Sequence, residues 1–455
     1  MSSVTDFKQL MSISPIDGRY GSKMSVMQEI FSEYALIRLR LEIEVEYFLF
    51  LADFLPELSE IKPEQRVQIS NLKRFTLKEA ETIKHIEREI NHDVKAVEIY
   101  LRGKFEELGL SKYSNFIHFG LTSQDVNSVA YVTQLWEFKR KIYSTMVNSI
   151  MSKLQMMGED YKNTVMLSRT HGQPATPTTL GKEMMVFWSK VKTQYTNLRK
   201  YNYKTKFGGA VGTLNAHYIA YPEYDWDKKM NDFISFFAHK RGFMMKRCCY
   251  TTQIDNYDNY AEVFDIISRV NTVLIDLCQD MWLYISNRYF KIKIIHSEVG
   301  SSAMPHKVNP INFENAEGNL GIANTLLNFF SRKLPISRLQ RDLTDSTVIR
   351  NVGVALSHTI LALKNIERGL HQLEINEVEI QRDLDMNYVV VSEAIQTLLR
   401  KENMPDAYDL VKDFTRINAN ITKSDMLEFI ESLDIREELK EKLKNITPYN
   451  YARTF

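Results

Sequence analysis

Proline is missing from residues 64–173, 223–304 and 336–404, which together make up more than half of this 455-residue chain. A proline inside a helix costs about 3 kcal/mol, so gaps of this length leave room for unusually long helices. Apolar spacing fills that room. Val263, Ile266, Val270, Val273, Leu277, Met281 and Tyr284 recur at three- and four-residue steps. Such spacing draws one stripe along a helix of roughly 30 Å. Leu36, Leu39, Ile43, Tyr47, Phe50 and Phe54 repeat the pattern, as do Leu180, Met184, Phe187, Val191, Tyr195 and Leu198. The expected fold class is all-α, with helices long enough to build a bundle. Stripes this wide also raise the prospect of burial against another subunit, with core packing in a large monomer as the alternative.

Chain breakers divide the sequence. Gly103 and Gly109 bracket an expected boundary before Ile117–Gly120. Gly208, Gly209 and Gly212 mark a tight turn between helices, and Gly300 to Pro310 forms a loop rich in Ser, Pro and Asn. Beyond about residue 370 the pattern becomes shorter and more charged, as in Glu437-Glu438-Leu439-Lys440-Glu441-Lys442. The expected domains are residues 1–116 (N-terminal helical), 117–370 (central long-helix bundle) and 371–455 (small helical C-terminal).

Composition removes several function classes. The net charge is +1, so there is no bulk electrostatic case for binding nucleic acid or an anionic membrane. There is no uninterrupted apolar run of about 18 residues and no apolar leader after Met1-Ser2-Ser3. Cys248, Cys249 and Cys278 form no CxxC pair, which fits reduced thiols in the cytoplasm. HExxH, EF-hand, Walker lysine and complete GxGxxG patterns are all missing.

Chemistry-bearing side chains gather in four stretches. The Gly300–Pro310 loop carries Ser301, Ser302, His306, Lys307 and Asn309; loops hold catalytic groups disproportionately, although composition alone equally fits a surface loop. Arg169-Thr170-His171-Gly172-Gln173-Pro174 places a histidine between Gly and Pro rather than on an apolar helix face. Thr122-Ser123-Gln124-Asp125 either contacts a ligand or simply caps the helix that follows. Arg338, Arg341 and Arg350 suit phosphate or carboxylate, or else a solvated helix face.

Together these stretches resemble one family. The loop is similar to the signature of the fumarase/aspartase superfamily, whose members eliminate fumarate from a succinyl-bearing substrate. Ser14-Pro15-Ile16-Asp17-Gly18-Arg19-Tyr20, Asn91-His92-Asp93, Thr122 to Asp125, Ser168 to Pro177, Thr251-Thr252-Gln253 and Arg338 to Asn351 resemble the adenylosuccinate lyase family in particular. Phe313-Glu314 after the loop are similar to its bacterial-type branch. These landmarks fall in family order from residue 14 to residue 351. Argininosuccinate lyase, fumarase and aspartase share the loop but not the stretches around it. A catalytically silent relative is the other alternative, and such a chain is expected to have lost Ser301, His171, His92 or Lys307.

The resemblance implies a three-domain helical fold around a central bundle and a β-elimination that breaks a carbon–nitrogen bond. The substrates implied are adenylosuccinate, giving AMP, and the succinyl-aminoimidazole-carboxamide ribotide, each releasing fumarate. Such a reaction needs a base, an acid for the departing nitrogen, and stabilisation of a carbanion-like intermediate. By resemblance Ser301 is the base, with Ser302 the alternative, and His171 is the general acid. His92, within Asn91-His92-Asp93, corresponds to a substrate-binding histidine. Lys307 and Asn309 correspond to groups that hold the succinyl carboxylate. Arg19, Tyr20, Arg341, Ser346 and Arg350 match phosphate and substrate contacts, and Thr122, Ser123 and Gln253 match succinyl-end contacts. No cofactor or metal is expected. The family forms homotetramers whose active sites combine three subunits, so the same assembly is expected here.

Overall fold

The computed structural model describes residues 7–293, 304, 306–417 and 421–454, and helices dominate them. The three apolar stripes each fall on one helix: Glu33–Leu51, Leu180–Arg199 and Asp258–Ser286. Leu180, Met184, Phe187, Val191, Tyr195 and Leu198 are all buried. Phe54 lies beyond the end of its helix at Leu51. Gly103 departs from expectation, because it sits inside the helix Asp93–Glu107. A Cβ added there would meet nothing within 4 Å beyond its own helix, and an isolated glycine in a helix costs only about 1 kcal/mol against alanine. Helix does not account for everything: three two-stranded sheets occur among the described residues.

Contacts divide the chain into two compact units. The first comprises Met1–Met146, Gln194–Asn271 and Asn319–Leu361. Within it, nearly every side chain of the helix Ser123–Phe138 is buried, as expected for a helix with protein on every side. That helix passes through a π-helical turn at Lys139–Tyr143, a local widening common near functional sites.

The second unit comprises Val147–Thr193, Thr272–Gly318 and Ala362–Phe455. Its C-terminal helices enclose a core of Tyr388, Val391, Ile395, Leu399, Met426 and Ile430. Mean hydropathy alone would allow the stretch Thr344–Gln372 to cross a bilayer, but 67% of its most apolar 18-residue window is buried in protein. It is a core element.

Amides fix the register of the helix Ile311–Lys333. In the second unit Asn312 donates to Gln372 at 2.6 Å, and Asn365 donates to Asn315 at 2.6 Å. In the first, Asn319 Oδ1 lies 2.7 Å from His358 Nδ1, and Asn271 donates to Asn324 at 3.1 Å. A slip along the helix would break these pairs, at about 1–3 kcal/mol for each polar group left buried and unpaired.

Candidate active site

One pocket of about 260 Å³ in the first unit gathers Asn91, His92, Asp93, Ser123, Arg341, Ser346 and Arg350. The helix Leu77–Ile90 ends at Asn91, whose left-handed backbone (φ 54°) turns the chain sharply. His92 follows in extended conformation and caps the helix Asp93–Glu107, its Nδ1 accepting the Lys95 N–H at 3.1 Å. With Nδ1 acting as acceptor, the neutral ring carries its proton on Nε2. His92 therefore has a donor left for a ligand.

Asp93 ties the pocket walls together. It accepts from the Val94 N–H at 2.9 Å, from Arg40 at 2.7 Å and from Arg350 at 3.3 Å. Burial pushes its carboxyl up, but Arg40, the Val94 N–H and Arg350 outweigh that and hold it below the ordinary range. Arg40 is only 1% exposed and also donates to Asn127 at 2.8 Å. Across the pocket, Arg341 donates to Gln253 Oε1 at 3.0 Å and approaches Ser346 Oγ at 3.5 Å. Ser123 opens its helix with Thr122 as the capping residue, the Thr122 N–H donating to Asp125 at 2.8 Å. The start of this helix, half-buried at Ser123, presents the positive end of its dipole. Arg40, Arg341 and Arg350 line the pocket with Glu87 and Asp93, so its cations outnumber its carboxylates and it suits an anionic ligand.

The remaining expected residues stand elsewhere. Arg19 and Tyr20 do not line this pocket; the Arg19 guanidinium lies 5.9 Å from the Tyr20 ring centre. Their neighbour Asp17 lines an adjoining hollow that Arg350 also borders. In the second unit, strands Val165–Thr170 and Gln173–Thr179 form an antiparallel hairpin with Thr170 opposite Gln173. His171 (φ 54°) and Gly172 (φ 75°) make its two-residue tip, and both are exposed. Positive φ at both positions is the geometry such a tight hairpin prefers. The hairpin is anchored close to its tip, since Arg169, paired with Pro174, contacts Tyr289 at 2.8 Å and Asp383 at 2.8 Å. Lys307 is exposed and Asn309 half-buried just before the helix Ile311–Lys333. Ser301 and Ser302 lie outside the described residues.

The sequence matches the family described as lyase over residues 18–323, and that described as adenylosuccinate lyase C-terminal over residues 337–452. The adenylosuccinate lyase of Dictyostelium discoideum is 48% identical, over 99% of this chain and 98% of its own length. The chain belongs to the adenylosuccinate lyase family. The family's enzyme from Escherichia coli K12 is 41% identical over 98% of this chain and 97% of its own. A fumarate lyase from Mesorhizobium sp. BNC1 shares the fold, with a TM-score of 0.73 at 20% identity and 94% of each chain covered. So does the 3-carboxy-cis,cis-muconate lactonizing enzyme of Pseudomonas putida, with a TM-score of 0.72 at 19% identity and 93% of each chain covered.

Within this member of the family, sequence reasoning missed Arg40, Glu87 and Tyr131, which also line the pocket. Arg40 left a usable trace. It shares the helical face of Leu36, Ile43 and Tyr47, and a buried charge in an apolar stripe needs a partner.

Proposed function

We propose that the chain cleaves adenylosuccinate to AMP and fumarate, and the succinyl-aminoimidazole-carboxamide ribotide to its carboxamide and fumarate, as a carbon–nitrogen lyase. The observation that carries this reading is a pocket rich in arginine, walled by Asn91-His92-Asp93 and Ser123, in a chain of this family. Both substrates bring a phosphate and two carboxylates, which matches that demand for negative charge.

In the mechanism, Ser301 removes the proton from the carbon beside one succinyl carboxylate. Lys307 and Asn309 hold that carboxylate while charge accumulates on it. The carbon–nitrogen bond then breaks, and His171 gives a proton to the departing nitrogen. His92 presents its Nε2 proton to the substrate. Arg341, Ser346 and Arg350, with Arg19 and Tyr20, bind the phosphate end, while Thr122, Ser123 and Gln253 bind the succinyl end.

The assembly is a homotetramer in which three subunits furnish each site. Two features support that reading: His171 is exposed at a hairpin tip, and Trp282, Leu283, Ile322 and Phe329 are exposed on long helices. The division into residues 1–116, 117–370 and 371–455 belongs to the same proposal. Free thiols at Cys248, Cys249 and Cys278 support a cytoplasmic location.

Incubating the purified protein with adenylosuccinate tests the activity, AMP being followed by absorbance and fumarate by a separate assay. Both products should appear. A folded protein that releases neither, from adenylosuccinate or from argininosuccinate, malate or aspartate, would be a silent relative.

A further inference from the structure

The glycine turn at 208–212 has no part in the chemistry above, yet it touches two segments that do. On one side is Asp125, fully buried, whose Oδ1 accepts from Lys206 Nζ at 2.7 Å and from the Gly208 N–H at 2.7 Å. The Gly209 N–H reaches the same carboxylate at 3.2 Å, and Lys206 Nζ donates onward to Gly209 O at 2.6 Å. The other oxygen, Oδ2, accepts the Thr122 N–H. On the far side, a Cβ at Gly212 would stand 2.2 Å from Thr251 O, and one at Gly209 would stand 3.1 Å from Gly120 O. Both glycines have positive φ, 77° at Gly209 and 83° at Gly212. The backbone of the turn is therefore wedged between the approach to Ser123 and the irregular segment leading to Gln253.

We propose that Asp125, Lys206 and the Gly208–Gly212 turn are a positioning clamp that sets the spacing between Thr122–Ser123 and Gln253. The inference rests on the reading that these residues bind the succinyl end. A buried ion pair is a poor way to gain stability, because desolvating two charges offsets most of their attraction. It is a good way to fix geometry. The one carboxylate holds a helix N-terminus, an ammonium and two turn amides at hydrogen-bond distance, which an apolar contact of equal volume would not do. Asp125 and Lys206 thus act through Ser123 and Gln253 rather than on substrate.

The test compares steady-state kinetics of the full chain with Asp125→Asn, Gly212→Ala, Lys206→Met and Lys206→Arg. Asp125→Asn keeps the shape but points donors at donors, and Gly212→Ala drives the turn into Thr251. Both should raise KM for adenylosuccinate at least about tenfold, with a smaller change in kcat. Lys206→Met should do the same, and Lys206→Arg should recover part of the loss. A merely structural role would lower the active fraction, reducing kcat at constant KM. KM within about twofold of the parent in folded Asp125→Asn and Gly212→Ala proteins overturns the clamp. Failure of both to fold also overturns it, since the device would then serve folding. If the parent chain releases no fumarate from adenylosuccinate, the functional reading fails instead.

Discussion

The pocket wall and the His171 hairpin carry expected site residues in opposite ways. At the wall, Asp93 is bonded to Arg40 and Arg350, and Arg341 to Gln253, so each side chain is held by others of its own unit. At the hairpin, the strand is pinned through Arg169 two residues before the tip, while the histidine at the tip stands in solvent on a left-handed backbone. Such a conformation costs a non-glycine residue on the order of 1–2 kcal/mol. Among the described residues, none buries that tip to offset it. A strained, exposed tip presents its side chain outward, whereas a wall of paired charges receives a ligand inward. That contrast fits a site whose parts come from different subunits.

Complementation breaks or confirms the contrast most forcefully. Ser301→Ala and His171→Ala should each lower turnover by roughly 10²–10⁴-fold, the usual share of an acid or base. Mixing the two inactive proteins should restore measurable turnover if the residues serve a shared site. Mixed tetramers shown by mass spectrometry, yet still inactive, would place both residues in one chain's site. The next effect belongs to the wall. Arg40→Met leaves Asp93 without its closest cation and should destabilise the protein by about 3 kcal/mol, the lower end for breaking a buried pair. An unchanged denaturant midpoint would mean that the wall is held by something else.

The hairpin should show the opposite balance. Asn tolerates positive φ better than His, so His171→Asn should leave stability unchanged or raise it by up to about 1 kcal/mol. Turnover should still collapse. A marked loss of stability would show that the histidine packs against something, contrary to its exposure here.

How much of this was legible in the sequence follows the same line. Apolar stripes such as Leu180 to Leu198 were readable because helix burial has a fixed period. Asn91, His92, Ser123, Arg341 and Arg350 were readable as members of ordered stretches, and the pocket brings them together. Arg40 escaped because its partner Asp93 is 53 residues away, and pairing across such a gap has no period. The asparagines of Ile311–Lys333 escaped for that reason too. The hairpin escaped because Pro174 and Pro177 argue against a strand, yet both sit in a two-stranded ribbon with few ladder bonds to lose.

The smallest expected effect lies at the approach to the wall. His118 has a left-handed backbone (φ 60°), and its Nδ1 sits 2.5 Å from Glu44 Oε1, with the Glu44 side chain fully buried. Burial pulls the imidazole pKa down, but Glu44, with Glu98 and Asp125 farther off, outweighs burial and raises it above its ordinary value. A raised folded pKa means that the folded state binds the proton more tightly than the unfolded chain. The resulting stabilisation is complete below the unfolded value, about 6.5, and fades as pH rises through the folded value. His118→Gln should therefore lower Tm more at pH 6 than at pH 9. Equal losses at both pH values would mean that His118 is neutral throughout and holds Glu44 by a plain hydrogen bond. The approach to Ser123 would then owe its shape to backbone geometry at His118 and Gly120 rather than to charge.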